Sequence, residues 1–405
     1  MRGITVLAGN NSTGKSTYGK VLFCVFNAFS ESDKTIMRTR KNDVENMLAR
    51  YTRLPVRSGQ ISKLADSIVN RFDSQQEIQK IIQDAVEERI IVPPRTDDST
   101  DVISKKICDY AKVSDEQIQK DILERFIAAE FEGQATHVNA PQKLGRISLS
   151  FKNQQFVLVA HIAGGKCTKY EDNVGIIYRA FYLDTPFVVD IINPRNFRFD
   201  HRFDYSKYNH RYKISRNFYL PSNNGNISEE IISKQKLETV LGYINSVVPG
   251  EFDVTESGNM GFREPGLKQP LELTNVSAGM KLFLVIKRLL ETGKIKEQDV
   301  LILDEPEIHL HPEWQVKFAE MLVLLQKAFD LTILLTTHSP YFLRAIEVFT
   351  AQQDIENRCN YYHLTNDDAG YCHAQDATDD TDSIYQVLAE PFQTLDNIHY
   401  SRYVE

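Results

Sequence analysis

The sequence has 405 residues, of which 42% are hydrophobic and 25% charged, a composition typical of a folded globular protein rather than a disordered chain. The formal net charge of −8 argues against a protein covered with nucleic acid over its whole surface, although a local basic surface is compatible with it. Apolar runs such as residues 21–26 are much shorter than the roughly 18–20 residues of a membrane helix, and the chain opens on a strand pattern rather than a secretory signal. Five cysteines without a Cys-x-x-Cys pair argue against a disulfide framework or a cysteine-rich zinc site. We therefore expect a cytoplasmic protein with no membrane partner.

The first third of the chain changes character after residue 30. Residues 1–30 predict a strand, a glycine-containing loop and a helix. From residue 31 to 139 charge is dense, and apolar residues such as Ile78, Ile82 and Ala85 recur at helical spacing. This segment therefore predicts short amphipathic helices, and we interpret it as a helical insertion that contacts a partner.

The rest of the chain predicts an α/β fold. Residues 145–220 are rich in β patterns, and a helix over 228–247 and a hairpin over 251–273 follow. Residues 300–303 and 331–335 are all-apolar runs, which are typical of parallel strands buried on both faces. Further helices are expected at 276–290 and 312–326, and two short strands near 360–364 and 370–374. The expected architecture is a mixed, mainly parallel sheet with an antiparallel β lobe and the helical insertion.

A phosphate-binding loop is predicted between the first strand and the first helix. Two glycines, Gly9 and Gly14, are followed by Lys15 and Ser16, and the loop's N–H groups would surround an anion at a helix N-terminus. Lys15 would contact the β- and γ-phosphates of ATP, and Ser16 would bind Mg²⁺. The predicted nucleotide-binding residues of the loop are Gly9, Asn10, Asn11, Ser12, Thr13, Gly14, Lys15, Ser16 and Thr17.

Polar residues follow the two apolar strands. Asp304 and Glu305 end the first, where ligands bind in open α/β sheets. Asp304 is predicted to hold Mg²⁺ and Glu305 to activate the attacking water. His338 follows the second strand at the same sheet edge. A lone histidine is more often structural, but this position favours a catalytic contact with the γ-phosphate.

A fourth motif, Ser277-Ala-Gly279, opens an apolar helix, and Ser277 by itself predicts an N-cap. The order of the four motifs resembles ABC-class ATPases of the SMC, RecF and OLD group. That resemblance implies a dimer that sandwiches two ATP molecules, with Ser277 and Gly279 at the partner's γ-phosphate and residues 307–312 as a cross-dimer loop. His309 and His311 in this loop could also be a metal pair, but dimer contact is the simpler interpretation because no further ligands accompany them.

The resemblance also implies a domain organisation. Residues 1–30 and 140–405 would form the ATPase head, with the β lobe over about 140–220 and the half that carries the later motifs over about 250–345. Residues 31–139 would be the insertion.

The segment Glu-Ile-His-Leu-His-Pro at 307–312 and the tail at 382–392 resemble OLD-like ATPases of bacterial antiphage systems, such as the subunits of Septu, nuclease-linked retrons and PARIS-type systems. This resemblance implies a separate effector partner, a nuclease. One alternative is a RecF-like or SMC-like repair ATPase that acts directly on DNA. A transporter subunit is disfavoured because the signature lacks the Leu-Ser-Gly-Gly-Gln form. The residues after His338 are too few for a TOPRIM domain, so we expect no nuclease activity in this chain.

Two features stay open. The small upstream hairpin expected in the family is missing, so adenine contacts are not assigned, and residues 219–223 are only a candidate glutamine loop. The basic, aromatic segment 195–219 could contact DNA or RNA, but its alternation is equally that of a half-buried strand, which is the simpler interpretation. Its aromatic face would be Phe197, Phe199, Phe203 and Tyr205, and its basic face Arg198 and Arg202.

Overall fold

A computed structural model of the chain describes residues 3–52, 58–71, 74–92, 100–136, 143–151, 155–191, 206–220, 227–368 and 370–401. The chain divides into two compact units. We call residues 1–27 and 178–405 the sheet unit and residues 28–177 the helical unit. In the described part of the chain, no helix combines the length and apolar character needed to cross a bilayer.

The described strands are β1 (Ile4–Gly9), β2 (Gly145–Phe151), β3 (Phe156–Ala163), β4 (Lys166–Asp172), β5 (Ala180–Leu183), β6 (Glu251–Val254), β7 (Met260–Arg263), β8 (Leu271–Glu272), β9 (Val300–Asp304), β10 (Thr332–Thr337), β11 (Cys359–Asn366) and β12 (Cys372–Asp376). The described helices are α1 (Lys15–Phe29), α2 (Ser32–Ala49), α3 (Ser58–Val69), α4 (Gln75–Glu87), α5 (Thr100–Ala111), α6 (Asp115–Phe131), α7 (Val188–Ile191), α8 (His210–Tyr219), α9 (Ile227–Val247), α10 (Ala278–Glu291), α11 (Pro312–Phe329), α12 (Pro340–Gln352) and α13 (Asp382–Ser401).

The sheet unit is organised around a six-stranded sheet in the order β12-β11-β1-β10-β9-β5. Every neighbouring pair in it is parallel except β11 with β12. In register, Ala8 pairs with Thr337 and Thr336 pairs with Asp304. The carboxyl ends of these strands therefore meet at one edge, where an open parallel sheet binds ligands.

One hydrophobic core holds this sheet to its helices. It joins apolar residues of β1, β9 and β10 to the faces of α9, α10, α11 and α12. Strands β6, β7 and β8 form a separate antiparallel sheet. The expected fold class is confirmed: a mainly parallel α/β sheet with antiparallel sheets and a helical region.

The helical unit contains α2 to α6 and the antiparallel sheet β2-β3-β4. Its core consists of apolar side chains such as Val44, Ile78 and Ile82, each fully buried. Residues 140–177 are expected in the ATPase head on the basis of the resemblance, whereas the structure groups the three strands with the helices. The reason is direct contact: the Cys167 N–H donates to Glu124 of α6 at 2.9 Å.

One segment differs from its expected secondary structure. Residues 210–219, expected to be β-rich, form α8. His210, Ile214 and Phe218 are four residues apart and bury one helical face, and the Asn209 side chain caps the helix by accepting from Arg211 N at 3.0 Å. The expected basic, aromatic strand with Phe197, Arg198, Phe199, Arg202, Phe203 and Tyr205, and residues 221–223 of the candidate glutamine loop, lie outside the described residues.

Candidate functional site

The loop between β1 and α1 depends on two glycines with positive φ. Gly9 has φ 154°, and a Cβ there would lie 2.3 Å from the Leu364 carbonyl oxygen on β11, which is too close for any side chain. Gly14 has φ 77°, in the left-handed region that favours glycine. The Thr13 hydroxyl donates to the Asn10 carbonyl oxygen at 2.8 Å. These features fold the loop tightly over the start of α1.

Lys15 lies inside this loop. Its side chain is 4% exposed, and Nζ donates to the carbonyl oxygens of Gly9 at 3.0 Å and Asn10 at 2.7 Å. Burial lowers the pKa of Lys15, while the carboxylates of Glu305 and Asp304 oppose that shift. The loop thus holds the Lys15 ammonium group in its concavity, where it interacts with the carboxylates of Glu305 and Asp304.

A cavity of about 310 Å³ opens above the loop. It is lined by Asn11, Ser12, Thr13, Gly14, Lys15, Ser16, Thr17 and Glu305. The loop's residues bring a helix N-terminus and a lysine to this cavity, which suits a polyphosphate, and Glu305 brings a carboxylate to the same space.

Asp304 is held at both carboxylate oxygens. The Thr336 hydroxyl donates to Oδ1 at 2.5 Å, and the Tyr182 hydroxyl donates to Oδ2 at 2.9 Å. Asp304 ends β9, Thr336 lies on β10 and Tyr182 lies on β5, so three parallel strands fix this one group.

Glu305 has a left-handed backbone (φ 49°, ψ 50°), which is uncommon for a residue other than glycine and often marks functional sites. The Glu305 N–H donates to the Thr336 hydroxyl oxygen at 2.9 Å, which supports this conformation. Nε2 of His338 lies 3.1 Å from Oε1 of Glu305. Burial and the charge of Lys15 lower the pKa of His338, which favours a neutral imidazole beside the carboxylate at neutral pH.

A third carboxylate, Glu307, is 5% exposed. Its Oε1 accepts from the Thr337 hydroxyl at 2.5 Å and from the His338 N–H at 2.7 Å. Burial raises the pKa of Glu307, and these two hydrogen bonds oppose that shift. Glu307 therefore ties the turn after β9 to the backbone that carries His338.

Comparison with known proteins fits this geometry. Residues 4–344 match the family model described as "AAA domain, putative AbiEii toxin, Type IV TA system". The chain belongs to this AAA-domain family. The match confirms the expected resemblance to ABC-class ATPases of the SMC and RecF group.

One curated relative is the Septu protein PtuA of Bacillus thuringiensis, 38% identical over 65 residues, which are 15% of this chain and 16% of that protein. The matched part thus spans well under a quarter of the relative's length. An SMC head bound to the C-terminal winged-helix domain of ScpA aligns over 93% of this chain and 90% of its own, at 11% identity and TM-score 0.43. The SMC head of Thermotoga maritima aligns over 64% and 85%, at 12% identity and TM-score 0.30.

In this member of the AAA-domain family, the structure brings the loop of residues 9–17, Asp304, Glu305 and His338 to one sheet edge. Ser277 does not line the cavity; it is the exposed N-cap of α10, where its hydroxyl accepts from Met280 N at 3.4 Å. Gly279 packs within the same chain: a Cβ there would lie 3.2 Å from the His309 carbonyl oxygen. The small residue at 279 therefore has an intramolecular reason in addition to the role that the resemblance implies.

The residues of the expected cross-dimer loop, 307–312, differ in their exposure. Glu307 is buried against the His338 backbone, whereas Ile308, His309 and His311 are exposed. The His309 ring packs edge-on against Phe187 at 5.3 Å, and His311 caps α11 by accepting from Glu313 N at 3.4 Å. Within the described residues, no group of three or more His, Cys, Asp or Glu side chains is arranged to hold a metal ion.

Sequence analysis missed three residues that organise the site. Thr336 and Thr337 directly precede His338 in the sequence. Two consecutive threonines at the end of a buried strand could have indicated that their hydroxyl groups bond to the site. Tyr182 lies on a four-residue strand without a distinctive pattern. Its role depends on a strand order that the sequence does not state.

Proposed function

We propose that this chain is a Mg²⁺-dependent ATPase whose catalytic residue is Glu305. The observation that supports the proposal best is the position of Glu305, which lines the same 310 Å³ cavity as the phosphate loop. Residues 9–17 would bind the phosphates, and Lys15 would contact the β- and γ-phosphates. Within hydrogen-bond reach of a water in that cavity, Glu305 would accept its proton during attack on phosphorus.

The donor set fits Mg²⁺, which prefers oxygen ligands and few protein side chains. Ser16 would contribute a hydroxyl and Asp304 a carboxylate. The metal, when bound, would neutralise charge that develops on the phosphate oxygens. Asp304 is already oriented by two hydroxyl groups, so it would need little rearrangement. His338 would remain neutral beside Glu305 and contact the γ-phosphate.

Separate measurements of ATP binding and of ATP turnover distinguish the proposed roles of Lys15 and Glu305. Glu305→Gln should bind ATP like the wild type and lower turnover by about 10²–10⁴, because only the base is removed. Lys15→Ala should lose ATP binding because the cation in the loop is gone. ATP binding is measured by fluorescence and turnover by phosphate release. Wild-type turnover by Glu305→Gln would overturn the assignment of the base.

We further propose that two chains form an ATP-dependent dimer in which Ser277 and Gly279 face the partner's γ-phosphate. The exposed position of Ser277 at the N-terminus of α10 supports this, since the N-terminus of a helix favours an anion. Ser277→Arg should leave nucleotide binding intact and lower turnover.

Mixing variants tests the dimer directly. Ser277→Arg mixed with Lys15→Ala should regain turnover, because each heterodimer has one intact site. Lys15→Ala mixed with Glu305→Gln is the control and should regain none, since both defects fall on the subunit that supplies the phosphate loop. No rescue in the first mixture, with both variants folded and binding as designed, would reject the sandwich.

The partner is proposed to be a separate nuclease of an antiphage system, in the cytoplasm, and the chain itself to have no nuclease activity. The similarity to the Septu protein PtuA and the OLD-like sequence at 307–312 support this role. The helical insertion, residues 31–139, is the candidate contact, and residues 114–130 are one helix of it that can be removed. Deletion of residues 114–130 should release the partner while ATP hydrolysis continues.

The absence of a nuclease in this chain is tested separately. Cleavage of DNA or RNA by the purified chain with Mg²⁺ and ATP, if it is lost in a single-residue variant, would contradict that absence. ATP-dependent duplex binding without a protein partner would instead favour a repair ATPase.

A further inference from the structure

The Tyr182 hydroxyl is placed where it can act on Asp304. Tyr182 is 0% exposed, and its OH donates to Asp304 Oδ2 at 2.9 Å, while the other carboxylate oxygen accepts from Thr336. With both oxygens bonded, rotation of the carboxylate about its χ2 torsion would break at least one hydrogen bond. The orientation of Asp304 is therefore fixed from both sides.

The Tyr182 ring is itself fixed by its neighbours. Its centroid lies 4.4 Å from the His210 ring, and a Cβ on Gly19 of α1 would come within 3.3 Å of Tyr182 Cε2. Nε2 of this His210 ring lies 3.0 Å from Oδ1 of Asp184. Arg211 Nε donates to the same carboxylate, at 3.2 Å from Oδ1 and 3.0 Å from Oδ2. The packing of the Tyr182 ring against His210 and Gly19 thus fixes the position of its hydroxyl group.

Packing alone does not require this hydroxyl. A phenylalanine would fill the same ring volume, and a buried tyrosine needs a partner for its OH group. The partner chosen is the carboxylate that ends β9, at the sheet edge beside the phosphate loop. The other hydroxyl on this carboxylate, from Thr336, also accepts from the Glu305 N–H.

We propose that Tyr182 is a positioning residue for the divalent cation that accompanies ATP, and that it acts by orienting Asp304. The inference rests on the proposed function, because it assumes that Asp304 binds the cation. Partners of metal-binding carboxylates commonly change metal affinity by about 10–100-fold when they are removed. A fixed carboxylate also limits the reorganisation that cation binding requires.

The test is Mn²⁺ binding to the full-length chain in the presence of a non-hydrolysable ATP analogue, measured by electron paramagnetic resonance of free Mn²⁺. Tyr182→Phe should raise the Kd of Mn²⁺ by about tenfold. Affinity for the analogue without metal should stay at the wild-type value, because the phosphate loop is unchanged. Tyr219→Phe is the matched control: its OH donates to the Val189 carbonyl oxygen at 2.7 Å, away from Asp304, and its Mn²⁺ affinity should not change.

The outcomes separate this inference from the proposed function. Asp304→Ala should lose Mn²⁺ binding; if it kept wild-type affinity, the metal assignment and the inference would both fail. If Asp304→Ala lost the metal but Tyr182→Phe matched the wild type, only the inference would fail. If Tyr182→Phe weakened metal-free binding of the analogue as much as Mn²⁺ binding, the role would be structural, and the inference would again fail.

Discussion

The carboxyl edge of the six-stranded sheet and the core of the helical unit are stabilised by different interactions. At the sheet edge, Asp304 and Glu307 are bonded to hydroxyl and N–H groups at distances of 2.5–2.9 Å. In the helical unit, the core described by residues such as Val44, Ile78 and Ile82 is a cluster of apolar side chains, and ion pairs such as Lys41–Asp66 lie at its surface, where each contributes little.

This difference teaches what each region tolerates. At the sheet edge, we expect removal of one hydroxyl oxygen to change the orientation of a carboxylate that is proposed to bind the metal, while the surrounding apolar core maintains the fold. In the helical core, the loss of a few methyl groups removes packing directly, but no group of the candidate nucleotide site is involved. Substitutions in the two regions should therefore separate effects on chemistry from effects on stability.

The largest expected effect on stability is in the helical core. Ile82 is 0% exposed, so Ile82→Ala should lower the free energy of unfolding of that unit by about 2–5 kcal/mol. Ile177→Ala is the matched control, because Ile177 belongs to the same unit but is 64% exposed. Denaturant unfolding measures both. A large decrease in ATP affinity for Ile82→Ala at a temperature where it is folded would show that the two regions are not separable.

A smaller effect is expected at Asp184, just beyond the end of β5. Burial would raise the pKa of Asp184, but hydrogen bonds from His210 and Arg211 and their charges hold it far below its usual value. Asp184→Asn should lower stability by about 2 kcal/mol at neutral pH, the scale of a hydrogen bond to a charged group.

The pH dependence follows from the direction of that shift. In the unfolded chain Asp184 has an ordinary pKa of about 4, whereas in the folded state its pKa is lower. The stabilisation by the Asp184 carboxylate is therefore complete above about pH 4, and it is lost progressively as the pH falls from there toward the folded pKa. Thermal unfolding of the wild type and Asp184→Asn should differ by a constant amount from pH 7 to about pH 5 and converge below about pH 4. A difference that persists undiminished into strong acid would mean that the charge of Asp184 is not what stabilises the fold.

The smallest effects compare the same cap in the two regions. Ser114 caps α6 by accepting from Gln117 N at 3.2 Å, and Ser277 caps α10 by accepting from Met280 N at 3.4 Å. Ser114→Ala and Ser277→Ala should each cost about 1 kcal/mol of stability. Only Ser277→Ala should also lower ATP turnover, since Ser277 alone is proposed to face a nucleotide. Equal turnover in the two variants would reduce Ser277 to a cap.

The sequence by itself determined the local parts of this protein. Residues 9–17 have a pattern that specifies a tight loop before a helix, because positive φ at Gly9 and Gly14 is a local backbone requirement. The apolar runs of β9 and β10 likewise predict buried strands, and the polar residues that follow them predict a shared edge. In the same way, helical spacing was sufficient to predict helices in the 31–139 segment.

Only the tertiary structure decided which distant groups meet. Tyr182 and Asp304 are 122 residues apart and touch because β5 pairs with β9, and strand order is a consequence of packing rather than of local pattern. The same reason explains why β2, β3 and β4 group with the helices, and why 210–219 is a helix: burial of one face of α8 outweighed a weak β pattern.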